Sequence, residues 1–246
     1  MIIWNLPLVI CLYIIQAYAL INHDFSAKLY PFDALVWLNG VFGIFGPPVN
    51  YPLNFLRDLF VLSLMAPLFG RILNTMPIAG CLIVSLIFLN NLDGDLILRN
   101  TMAINFYIGG MAATMNWKLE RLDSFAALLL SVFVIMCFLI VLFKLEDLRW
   151  FTVLAPFMLW PASSLIADSR MGNTFSEMAK YSFFIFLSHG IILIAIQLIY
   201  SKAFGQVDTP IFWFFASISA VVLPSLTYEL LARTAPGLLR FSLGGR

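Results

Sequence analysis

The sequence predicts an all-α fold: a polytopic membrane helical bundle of about eight transmembrane helices, forming a single membrane-embedded domain over residues 1–246. The first observation behind this is composition, since 62% of the residues are hydrophobic, only 11% are charged, and mean hydropathy is +0.95. A soluble chain of this length needs more charge on its surface. The second is spacing, because apolar stretches near 20 residues recur between short charged clusters. The third is a net charge of +1, which leaves no basic face for nucleic acid. The expected surroundings are therefore a lipid bilayer, with no nucleic-acid partner.

In chain order the expected spans run roughly 3–22, 53–71, 77–92, 100–116, 124–143, 149–167, 179–200 and 210–232. The first ends in Ala17-Tyr18-Ala19, which fits a small-residue cleavage site, yet no Lys or Arg precedes it. It reads as a retained span; cleavage would leave the topology of the rest unchanged. Between His23 and Pro52 lies the longest outer connection. Its stretch Leu35 to Gly46 is too short and too glycine-rich to cross a bilayer. Two readings stay open there: a re-entrant cap of non-helical backbone over a cavity, or an interfacial loop anchored by Trp37 and Phe42. Basic residues set the orientation. Arg71, Lys118, Arg121, Arg170, Lys180, Arg233, Arg240 and Arg246 lie on the side of the termini, against Lys28, Arg99, Lys144, Arg149 and Lys202 on the other. This bias places both termini in the cytoplasm.

Few residues can carry chemistry in so apolar a chain. His189 lies inside the seventh span, where an ionisable group is costly unless it faces a cavity or a partner. Ser182, Ile185, Phe186, His189 and Leu193 share one helical face. A histidine hydrogen-bonded to a neighbouring span is the alternative. Arg57 and Asp58 lie near the outer end of the second span. Neighbouring residues point about 100° apart on a helix, so separate partners are expected. Arg57 either snorkels to the interface or lines a cavity and holds an anionic or carbonyl group. In the fourth span Thr101, Asn105, Gly109 and Ala113 recur every fourth residue. Such a stripe serves close helix packing or flanks a ligand channel, and Gly109 and Gly110 would let backbone approach a long cofactor.

Other chemistries find no motif. The chain lacks a G-x-S-x-G elbow, H-E-x-x-H and a phosphate-binding glycine loop. Cys11, Cys81 and Cys137 sit inside apolar runs without CxxC spacing, so no metal is expected. His23, beside Asp24, reads as a solvated surface histidine.

Three segments together resemble a known family. KYSFFIFLSHGIIL, starting at Lys180, is similar to the YS-x-x-IYL-x-H stretch of the acyltransferase 3 family of integral membrane acyltransferases. PLNFLRDLFVLSLMAPLF, starting at Pro52, resembles that family's LWFLR-x-LF-x-x-x-L-x-x-P-L segment. R-N-x-x-x-x-x-FYIGG between them resembles the FxxG span, and order and separation agree over residues 50 to 200. The resemblance implies about ten membrane helices with both termini cytoplasmic. It implies an O-acyltransferase of the bacterial inner (plasma) membrane, moving an acyl group, commonly acetyl, from acyl-CoA to a hydroxyl of a surface carbohydrate. The domain is then N-terminally short relative to the family, as if lacking its first helix pair, because the first span carries neither the Arg nor the His found in relatives. Asn54 stands where Trp is usual, and Phe186 where Tyr is common.

Transfer to a hydroxyl needs a base within reach of the acceptor and stabilisation of the developing oxyanion. His189 is the intramembrane candidate for the base and Arg57 for its electrostatic partner. Asp58, Asn105, Tyr181 and Ser182 are expected to bind substrate or cofactor. At nine residues from Lys180, His189 lies roughly 13 Å along the helix, short of the midplane of a roughly 30 Å core. A pantetheine arm entering from the cytoplasm would end near there. The alternative is a catalytically impaired or truncated relative, acting as a non-enzymatic component of polysaccharide assembly or export. A small transporter is disfavoured, since neither repeat symmetry nor paired broken helices is seen.

Overall fold

A computed structural model describes residues 2–18, 28–92, 94, 96–205 and 210–245; His23 lies outside them. Among the described residues there are helices and no strands. A polar backbone in hydrocarbon has to satisfy itself, and a helix does so within one segment.

Each expected span coincides with a helix: α1 (Ile2–Ala17), α3 (Asn54–Thr75), α4 (Pro77–Leu89), α5 (Asn100–Thr114), α6 (Ala126–Phe143), α7 (Arg149–Ala162), α8 (Arg170–Phe204) and α9 (Pro210–Thr234). Two short helices add to these, α2 (Ala34–Phe42) and α10 (Pro236–Ser242). By length and hydropathy, three segments suffice to cross a bilayer: Leu119–Phe143, Arg170–Phe204 and Pro210–Thr234. The first has a mean hydropathy of 3.1 with only 6% of its apolar window buried, so its natural solvent is lipid.

The stretch after Leu35 is more regular than a non-helical cap. Asp33 Oδ1 accepts from Leu35 N at 2.8 Å and Val36 N at 3.2 Å, capping α2 as an N-terminal carboxylate does. Gly43 ends the helix at φ 66° and donates to the Asn39 carbonyl, a left-handed stop that glycine takes without strain. Helix-breaking residues then carry the chain through Pro47, Pro48 and a short 3₁₀ turn, Tyr51–Leu53, into α3.

The chain divides into two compact units, residues 1–57 with 180–246, and residues 58–179. The core of the first gathers Leu8, Val9 and Leu12 of α1 with Leu29 and Val41, and Trp37, Ile191 and Ile194 pack against it. The core of the second joins Leu62, Phe69 and Leu73 of α3 with Val84, Phe88, Ile104 and Tyr107. Tyr107 is 1% exposed and donates to the Pro77 carbonyl at 3.1 Å. Gly80 makes room for it, since a Cβ there would collide with the phenol.

This packing bears on the close-packing reading of the α5 stripe. The buried face is Ala103, Ile104 and Tyr107, one step around the helix from the stripe Thr101, Asn105, Gly109 and Ala113. A Cβ on Gly109 would meet nothing within 4 Å, whereas one on Gly110 would press on Leu73 at 2.9 Å. The small residue used for close approach is Gly110, because Tyr107 fixes which side of α5 faces α4.

In the connection before α7, Asp147 and Arg149 form an ion pair at 2.8 Å. The Arg149 hydrogen bonds hold the Asp147 carboxyl well below the usual carboxylate range, at about 2. Arg149 also donates to Asn91 Oδ1 at 2.8 Å, which accepts from Asn100 Nδ2 as well.

Candidate active site

α8 presents two unlike faces. Phe184, Leu187, Ser188 and Gly190 are buried, while Ser182 is exposed and Ile185, Phe186 and His189 are half-buried. An imidazole on the second face avoids the full cost of burial in the apolar core. His189 Nδ1 lies 2.9 Å from the carbonyl oxygen of Ile185, one turn back on the same helix. The partner expected on a neighbouring span is thus found on its own helix. A carbonyl oxygen only accepts, so Nδ1 is the donor in this contact, and Nε2 is the nitrogen that makes no contact with the Ile185 carbonyl. The Phe186 ring stands 6.3 Å from the imidazole, and Phe55 meets Phe186 edge-on at 5.6 Å.

Arg57 belongs to the same unit. Its Nε donates to the Gly43 carbonyl at 2.9 Å, which ties the guanidinium to the loop following α2. That partner is protein backbone. The same loop continues to Asn50, whose Nδ2 donates to the Leu187 carbonyl at 3.0 Å. Both candidate residues are therefore fastened to one stretch of irregular chain, Arg57 at its start and the α8 turn of His189 near its end.

Asp58 is fully buried, and its two oxygens accept from Leu98 N at 3.1 Å and Arg99 N at 3.0 Å. It fastens the entry to α5. Asn105 lies half-buried on α5 in the same unit as Asp58, while His189 and Arg57 belong to the other. Tyr181 donates its hydroxyl to Glu229 Oε1 of α9, and Lys180 Nζ reaches the same oxygen at 3.0 Å. Tyr228 packs edge-on against Tyr181 at 5.2 Å. Glu229 escaped the sequence reading, although the cost of an ionisable group near the end of a span was the available signal.

Asn5 and Asn50 were missed as well. Both are fully buried, Asn5 Oδ1 accepts from Asn50 N at 3.1 Å, and Asn5 Nδ2 donates to the Val41 carbonyl at 2.6 Å. Among the described residues, Asn50 Oδ1 and Asn54 Oδ1 are buried without a hydrogen-bond partner. Beside Ser188, an apolar groove of about 430 Å³ is bordered by Trp4, Pro7, Phe184, Ile191 and Leu231. No group of three His, Cys, Asp or Glu able to hold a metal occurs among the described residues.

Comparison with known sequences gives this helical chain a family. The family model described as "Acyltransferase domain" matches residues 1–229. The chain belongs to this acyltransferase 3 family, and the match extends well beyond the three segments between residues 50 and 200. It is also similar to the succinoglycan biosynthesis protein ExoH of Rhizobium meliloti, with 27% identity over 221 residues. That alignment takes in 85% of this chain and 60% of the relative, so the chain spans about three fifths of that curated protein. No solved structure matches.

Proposed function

We propose that this protein is a membrane O-acyltransferase that moves an acyl group, most simply acetyl, from acyl-CoA to a hydroxyl of a surface carbohydrate. The single observation that carries the reading is the His189–Ile185 contact at 2.9 Å, which leaves Nε2 as a proton acceptor inside an apolar helix. Membership of the acyltransferase family supports it, and so does a relative whose name concerns succinoglycan biosynthesis.

In this reaction His189 Nε2 takes the proton of the acceptor hydroxyl as its oxygen attacks the thioester carbonyl. The new C–O bond forms, negative charge gathers on the carbonyl oxygen, and the Arg57 cation stabilises it. The C–S bond then breaks, and the imidazolium returns its proton to the departing CoA thiolate. Tyr181 and Ser182, nearer the cytoplasmic end of α8, border the donor's path. Asp58 and Asn105 belong to the other unit, where Asp58 serves the scaffold. No metal is needed, because the thioester is already activated. The protein works in the bacterial inner membrane with both termini cytoplasmic.

The test uses the purified protein in nanodiscs with radiolabelled acetyl-CoA, and mass spectrometry of surface glycan from cells with and without the gene. His189→Ala should abolish transfer while the protein still inserts, and His189→Gln should not restore it, since glutamine donates a hydrogen bond but moves no proton. Undiminished glycan acylation in a well-inserted His189→Ala variant would return the protein to a non-enzymatic role in polysaccharide assembly.

A further inference from the structure

The turn of α8 that carries His189 has a built-in weakness. Gly190 follows it directly, and glycine within a helix costs about 1 kcal/mol relative to alanine. It cannot be exchanged for alanine without cost, because a Cβ there would lie 2.5 Å from Asn50 Oδ1 and 2.8 Å from the Pro52 ring. The loop is pressed against the helix backbone at this point, and the loop side chain doing so is hydrogen-bonded to the helix. Asn50 Nδ2 donates to the carbonyl of Leu187, midway between Ile185 and His189, across 137 residues of sequence.

Asn50 is in turn held from behind. Its backbone N–H donates to Asn5 Oδ1 at 3.1 Å, and Asn5 is anchored to Val41 O at 2.6 Å. Both asparagines are fully buried, where a hydrogen bond is electrostatically stronger than in water. The arrangement also has a cost, since Asn50 Oδ1 is buried without a hydrogen-bond partner among the described residues. A leucine has the same branching at Cγ and would avoid that cost, but it would forfeit the bond to Leu187.

We infer that Asn50, braced by Asn5, is a positioning residue that pins the Ile185–His189 turn and thereby holds His189 in its Nδ1-protonated form with Nε2 available as base. This rests on the base role given to His189 above. Without the pin, the glycine-weakened turn opens intermittently, the Nδ1–Ile185 bond is lost part of the time, and the imidazole samples both tautomers. Arg57 gains from the same brace, since its Gly43 anchor lies on the loop that Asn50 secures.

The chain has only two histidines, so protein labelled with [15N]histidine in nanodiscs gives two resolvable ring systems, assigned by the His189→Ala variant. Wild-type His189 should show a protonated Nδ1 and an unprotonated Nε2. In Asn50→Leu the two His189 nitrogen shifts should move toward each other. Acetyl transfer should fall about tenfold to a hundredfold, the loss expected from a misplacement near 1 Å, with KM for acetyl-CoA unchanged within about twofold. Asn5→Ala is the second variant, expected to act in the same direction and read on the same scales should Asn50→Leu fail to accumulate. Wild-type tautomer signals and turnover in an inserted variant would overturn the inference. If His189→Ala retains full transfer while Asn50→Leu still averages the tautomers, the base role fails and the positioning stands.

Discussion

Lys180 Nζ and Glu229 Oε1 lie 3.0 Å apart across 49 residues of chain, joining α8 to α9. Tyr181 donates to the same carboxylate oxygen. Arg233 also lies near enough to act on Glu229, so the site is a small cationic cluster around one carboxylate.

The pair is partly open, with side-chain exposures of 55% and 36%. Ion pairs so exposed contribute between 0 and about 1 kcal/mol. Glu229→Gln should therefore barely lower the thermal midpoint in detergent, and high salt should shrink the difference further. A loss several times larger would mean that the cluster is dry and holds the two helices together.

Asp58 should behave in the opposite way. It is fully buried and accepts from two backbone amides. Asp58→Ala removes the acceptor of the part-buried Leu98 and Arg99 amides, at a total cost of about 1–3 kcal/mol. Asp58→Asn keeps one acceptor oxygen and should lose roughly half as much. Thermal unfolding of the two variants, compared with Glu229→Gln, checks the ranking; equal and small losses would release Asp58 from this scaffold role.

Arg57 tests geometry against charge. A guanidinium is planar and directs its donors in a fixed fork, whereas an ammonium is a compact point charge. With Nε already committed to Gly43, Arg57→Lys should lose nearly as much transfer as Arg57→Ala. Full transfer by the lysine variant at normal protein level would reduce Arg57 to an interfacial cation.

Topology gives an independent check. Eight basic residues on one expected side against five on the other predict both termini in the cytoplasm and the 23–52 connection outside. Reporter fusions at Lys28 and Arg246 should report opposite sides of the membrane. The same side for both would overturn the span map.

The sequence alone determined the helices, because the bilayer is a uniform solvent that asks for long apolar runs and charged ends. Every span read from hydropathy coincides with a helix, from α1 to α9. Family resemblance was legible for a related reason: its motifs sit where polar residues interrupt apolar runs, as at Arg57, Asp58 and His189. What hydropathy does not encode is which side of a helix meets a neighbour. The regular stripe on α5 pointed to Gly109, but the packing uses Gly110, because Tyr107 needs the hollow at Gly80. Nor does it encode partners distant in sequence. Asn5, Asn50 and Leu187 look unrelated along the chain, and only the fold brings an amide of the loop onto the carbonyl beside His189. A hydrogen bond is short and directional, so its partners are fixed by tertiary geometry, whereas the transfer of apolar surface from water is not directional and can be read residue by residue.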